Sequence, residues 1–218
     1  MWWFLLAPAL AHDLDGTWRV DLHLVHDVHV PVLGRSRTDA YTVQLWRVDG
    51  RRMVNEHCSI RAVARSRIGR PTIPPAFVEA IRHAEAPLTV DGDQLSVDMG
   101  ESRIGFDGDT LPTRADDPTV VDHEGDGHPG ATITVWAPLF GNVPVYIVQR
   151  SHLLLDGVIG PDGVAGTARQ TVLEQQTVGA GNRLFVQTPT LTPVEGRFSM
   201  VRVPAGASCR DPQLQPVD

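Results

Sequence analysis

Along most of the chain, apolar and polar residues alternate with a period of two, as expected of strands that bury one face. Trp18, Val20, Leu22 and Leu24 alternate with Arg19, Asp21 and His23. The alternation slips near Val25 and is carried on by Val28 and Val30, which predicts a β-bulge at the slip. Tyr41, Val43 and Leu45 repeat the pattern, Asp49-Gly50 predicts a hairpin turn, and residues 53–64 return as the partner strand. Further strands are expected at 88–90, 95–99, 102–106, 132–136, 143–149, 151–158, 168–178, 183–187 and 196–203, with Gly or Pro at most joins. Residues 73–84 are the one helical candidate: Pro74 and Pro75 suit a first turn, and Phe77 and Ile81 stand one turn apart.

About ten short strands and one short helix predict an all-β fold, an antiparallel barrel or sandwich. The 218 residues suit a single domain over residues 12–218, without repeat or linker. Residues 131–149 carry no charge, but Pro138, Gly141, Asn142 and Pro144 interrupt them. They read as strand, turn and strand, not as a membrane span.

Residues 1–11 are nearly all apolar and end in Ala9-Leu10-Ala11, the pattern of a secretory signal peptide cleaved before His12. No Lys or Arg precedes the apolar run. The expected location is secreted, periplasmic or cell envelope. In an oxidising compartment the two cysteines, Cys58 and Cys209, have one possible pairing, a disulfide that ties the C-terminal tail onto the fold. Two separate thiols are the alternative.

The formal net charge is -7, which argues against a nucleic-acid partner. All 19 basic residues are Arg, so Schiff-base and P-loop lysine chemistry are excluded. Negative charge concentrates in an acidic loop over 107–130. Asp107, Asp109, Asp116, Asp117, Asp122, Glu124 and Asp126 face a single Arg114 there. Within it, carboxylates at the alternate positions Asp122, Glu124 and Asp126 precede Gly127, and can curl around one hard cation. This resembles the start of EF-hand-type calcium loops. The resemblance implies Asp122, Glu124 and Asp126 as side-chain ligands, His128 as a backbone ligand, and a structural calcium ion. Asp116 and Asp117 are candidates to complete the shell. The pattern departs from that family at Glu124, at Ile133 in the twelfth position, and in being followed by a strand. A solvated loop built of Asp-Gly turns is the other reading.

Among the nine histidines, His23, His26 and His29 crowd one strand. If that strand is regular, Asp21, His23, Asp27 and His29 share its polar face. Residues six apart on a strand lie about 20 Å apart, too far for one ion, so a solvent-facing strand is expected. Gly16-Thr17-Trp18, opening the first strand, resembles the G-x-W start of lipocalins and related calycin barrels. In that family the tryptophan closes one end of the barrel and packs on a late-strand arginine, for which Arg197 and Arg202 are the candidates.

No G-x-S-x-G elbow, H-E-x-x-H helix, P-loop or dinucleotide fingerprint is present. Ser151 and His152 are neighbours on a strand and so point to opposite faces. The expected function is a non-enzymatic, calcium-stabilised binding module for a small apolar ligand. The alternatives are a surface-interaction domain using the region Trp136–Phe140, and a metal-dependent hydrolase using the acidic loop with His123, His128 or His152.

Overall fold

The computed structural model describes residues 13–31, 34–66, 69–81 and 83–215; the expected signal peptide lies outside these. Ten antiparallel strands form one sheet. In chain order they are β1 (Gly16–Val30), β2 (Gly34–Asp49), β3 (Arg52–Ala64), β4 (Arg70–Thr72) and β5 (Glu85–Asp91), then β6 (Gln94–Ile104), β7 (Ala131–Ala137), β8 (Gly141–Gly160), β9 (Gly163–Ala180) and β10 (Thr190–Val203). The helix α1 (Pro75–Ala80) lies between β4 and β5. It is shorter than expected, because Ile81 is already extended at ψ 121°.

Hydrogen bonding runs β8-β6-β5-β3-β2-β1-β10-β9 and returns from β9 to β8, so eight strands close a barrel. The stretches expected as two strands at 143–149 and 151–158 are one strand, β8, which pairs with β9 from Val145 to Gly160. On its other side β8 pairs with β7 over residues 141–147 and with β6 over 149–158. β6 and β7 thus occupy one lane of the wall in succession. The acidic loop is an excursion from that lane: it leaves at Gly105 and returns at Gly130. Both have positive φ, 76° and 80°, and a Cβ on either would come within 2.6 Å or 2.5 Å of the Ile147 carbonyl oxygen. Only glycine fits the two points of departure.

The inward side chains follow from the alternation. On β1 the even positions, including His26, face inward without interruption, and pairing with β2 is regular throughout. The expected bulge is therefore not in β1. It lies on the neighbouring strand: Val25 pairs with Glu195 and His26 with Pro193, leaving Val194 extra on β10. On β3, Val43 pairs with Ser59 and Gln44 with His57, so Cys58 is the extra residue. That bulge switches the inward phase from Met53, Asn55 and His57 to Ile60, Ala62 and Ala64. The β2–β3 hairpin turns on Gly50, whose φ of 60° supplies the conformation needed at the first central position. Residues 183–187, expected as a strand, instead begin with a single 3₁₀ turn, because the Asn182 side chain accepts from the Leu184 amide.

One end of the barrel is filled. Trp18, Trp46, Met53, Leu155, Phe198 and Met200 are buried there in a single cluster. Trp18 donates its indole N–H to the Leu14 carbonyl at 2.8 Å, and the Arg202 guanidinium lies 4.6 Å from its ring centroid. Arg202 also donates to the carbonyls of Asp13 and Asp15, which holds the chain entering β1 across this end. Outside the barrel, Leu45 and Leu214 form a second small core with the disulfide between Cys58 and Cys209, whose Cα atoms are 4.8 Å apart.

The disulfide spans 151 residues, so in the chain-entropy picture it stabilises the fold by up to about 5 kcal/mol. Urea denaturation with and without reductant, or of the Cys58→Ala/Cys209→Ala pair, is expected to lower the unfolding midpoint by a corresponding amount. The β-sheet signal in the absence of denaturant is expected to survive.

Candidate ligand-binding site

The other end of the barrel is hollow. A cavity of about 430 Å³ lies between the filled cluster and the end formed by the β1–β2 hairpin. The space arises where small side chains stand side by side on the inner wall: Ala40 of β2 and Ala62 of β3 are register partners, and both line it. β1 contributes Leu24 and Val28, and β8 contributes Val145, Ile147 and Leu153. Phe77 and Ile81, in and after α1, lean over one side; Leu184 and Phe185 close another. Among the described lining residues Arg35, near the hairpin, is the only one with a permanent charge. Phe185 meets Phe140 edge-on at 5.6 Å, and Leu139 beside it is fully exposed at the tip of the β7–β8 hairpin. The cavity thus has an apolar rim continuing onto the surface.

Polar groups gather at the floor, where cavity meets core. Trp46 donates its indole N–H to Gln44 Oε1 at 2.7 Å, and Asn55 Nδ2 donates to the same oxygen at 3.3 Å. Asn55 Oδ1 accepts from the Ala84 amide at 2.6 Å. An indole and a backbone N–H can only donate, so these two contacts fix the orientation of both side-chain amides. Gln44 must then present its NH₂ group to His57 Nε2, 2.9 Å away. That nitrogen is the acceptor, and neutral His57 carries its proton on Nδ1. Burial, reinforced by the nearby His83, pushes the His57 pKa down to about 4. The Nδ1 atom has no partner among the described residues and is sealed from solvent, a condition that costs about 1–3 kcal/mol. Higher in the cavity, His26 Nε2 lies 2.7 Å from Gln170 Oε1 of β9, and burial lowers its pKa as well.

Nothing in the sequence alone marks these cavity groups as ligand contacts. The available signal was phase: Gln44, Asn55, His57 and His26 are polar residues on inward positions of otherwise apolar alternations.

The other candidate residues lie outside the barrel. Asp122 accepts from the amides of Gly125, Asp126 and Gly127. Asp126 accepts from the His128 amide and the Thr132 hydroxyl. Glu124 reaches the Thr132 amide at 2.8 Å through Oε2, while its Oε1 is buried with no hydrogen-bond partner among the described residues. Burial raises the Glu124 pKa, whereas the amides around Asp122 outweigh its burial and lower its own. Asp116 pairs with Arg114, and Asp117 caps Thr119, so neither turns towards Asp122. Among the described residues, no group of three or more His, Cys, Asp or Glu side chains converges on one ion-sized point.

His128 stacks on Tyr146 at 4.4 Å, His123 lies 3.8 Å from Asp107, and His152 bonds Asp98 at 2.6 Å. Ser151 lines the cavity while His152 points outward, as the alternation requires. On the outer face of β1, His23 bonds Asp39 and stacks on Tyr41, and Asp27 pairs with Arg37.

The chain matches no family model, no curated protein and no solved structure.

His57 makes a signed pH prediction. The unfolded histidine takes up a proton as pH falls through 6.5, and the folded one only near 4. Stability is therefore full above pH 6.5 and declines between 6.5 and 4, by up to about 3 kcal/mol from this group. Urea midpoints at pH 7 and pH 4.5 are expected to fall further for the wild type than for His57→Gln.

Proposed function

We propose that this chain is an exported binding protein that holds a small, mainly apolar ligand inside its barrel. The observation that carries the reading is the half-empty interior, a cavity of about 430 Å³ walled by aliphatic side chains and floored by an ordered polar network. Such a site matches the general form of small-molecule pockets, largely apolar with a few fixed polar groups. The disulfide supports export, since such bonds persist in oxidising compartments. Among the described residues no helix is long and apolar enough to cross a membrane. The stack of Arg202 on Trp18 at the closed end supports a lipocalin-like reading of the barrel. The exposed Leu139 and the neighbouring Phe140 would offer an apolar ligand a path to the mouth.

The test is uptake of an apolar fluorophore, N-phenyl-1-naphthylamine. Saturable enhancement of its emission at one site per chain is expected. Ala62→Trp, which fills the space opposite Ala40, is expected to weaken uptake at least tenfold while the chain still unfolds cooperatively. Equal uptake by both proteins would sink the assignment of the ligand to the barrel interior.

A second proposal concerns the acidic loop. The Oε1 of Glu124, unpartnered among the described residues and in a segment with seven acids over residues 107–126, supports uptake of a calcium ion there. Asp122 and Asp126 would contribute oxygens, and the His128 carbonyl and water would complete the shell. A cation that binds only the folded loop must raise the melting temperature, by about 5 °C or more when calcium exceeds its dissociation constant a hundredfold. Glu124→Gln is expected to abolish that rise; a wild-type melt indifferent to calcium and chelator removes the proposal.

A further inference from the structure

The cavity floor contains a feature that a merely greasy pocket would not need. Trp46, Gln44 and His57 form a directed chain of hydrogen bonds from β2 to β3. Its direction is set at one end by the indole N–H and reinforced by Asn55, itself fixed by the Ala84 amide. At the other end it leaves a single N–H, on Nδ1 of His57, with nothing to donate to among the described residues. The proton cannot move to the other ring nitrogen without setting two donors against each other at 2.9 Å. The ring that carries this N–H is part of the cavity lining. A buried donor held in one tautomer and left unpaired is complementary to a group that only accepts.

We propose that His57 Nδ1–H is the recognition point for a neutral hydrogen-bond acceptor, a ketone, aldehyde or ester carbonyl, carried by an otherwise apolar ligand. This rests on the barrel cavity being the binding site. The acceptor is neutral because no permanent charge lies at the floor among the described lining residues; Arg35 stands near the hairpin end. A carboxylate there would bring an uncompensated charge into an apolar enclosure. A carbonyl would instead gain a donor that is already oriented and dehydrated, while the protein would lose an unsatisfied N–H. Discrimination follows from the same logic: a site that donates rejects ligands without an acceptor, because they leave its donor unpaired. Nδ1 is sealed in the ligand-free barrel, so binding includes a small side-chain displacement at the floor.

The experiment uses two near-isosteric probes, 2-decanone and 2-methyl-1-decene, and decanoate as the charged counterpart, each competing with N-phenyl-1-naphthylamine on the wild type and on His57→Phe. The substitution is expected to weaken 2-decanone about tenfold and to leave the alkene within about twofold. In the wild type, ¹⁵N-resolved NMR is expected to show His57 protonated on Nδ1, with that proton moving downfield on addition of the ketone and not of the alkene. This second readout needs no variant and so survives any misfolding of His57→Phe. Equal losses for the two probes, or an Nδ1 proton indifferent to the ketone, would overturn the inference and leave the cavity reading intact. Decanoate bound in preference to 2-decanone, with a larger loss on substitution, would overturn it in favour of an anion site. Failure of the dye and both probes to enter at all would count against the cavity reading itself.

Discussion

Closure of the sheet along β8 is the constraint on which the molecule depends. This one strand bonds β9 on one side from Val145 to Gly160, and on the other bonds β7 and then β6. Two irregularities in the seam, where Val178 and Thr171 are left extra, both fall on β9. β8 itself therefore keeps a constant phase, with its odd positions inward from Val145 in the cavity to Leu155 in the filled core. Closing the sheet removes most of the free edge that would otherwise pair with other chains. It also commits every inward side chain to a shared interior, where bulk must be matched across the barrel.

How that bulk is distributed decides what the barrel can do. The end closed by Trp18 receives tryptophan, phenylalanine and methionine side chains, whereas the opposite end has alanine beside alanine and serine beside serine on its inner wall. Dense packing at one end supplies the stability that lets the other remain empty. The polar network sits at the boundary between the two. There it is protected from bulk water by the plug and from competing partners by the aliphatic walls, conditions under which hydrogen bonds are strong and orientation is retained.

Much of this was legible from alternation alone. The all-β class, the Asp49-Gly50 hairpin and the opposed directions of Ser151 and His152 follow from local rules that tertiary structure did not override, and the Cys58–Cys209 bond is the one pairing two cysteines allow. The cavity was harder to foresee, because an inward alanine reads the same whether it faces a large partner or another alanine. Only the register of β2 against β3 shows that Ala40 meets Ala62. His26 was obscured for a related reason. A histidine in an apolar phase looks like a slipped register, and the structure shows an unbroken strand whose imidazole finds Gln170 across the interior. The acidic segment drew attention through its charge density. Its aspartates are largely engaged in shaping their own turns, a use of carboxylates that composition cannot distinguish from cation binding.

The excursion between β6 and β7 leaves and rejoins the wall beside a single carbonyl, that of Ile147. Phe106 and Pro112 are buried, His128 stacks on Tyr146 and Arg150 donates to the Asp109 carbonyl, so the excursion rests on the outer wall at a few points. Between those points the segment can vary in length and content over evolutionary time, provided the two glycines at its base persist. The barrel thus carries a natural graft position, where new surface chemistry can be acquired or discarded while the interior, and whatever it holds, stays as it was.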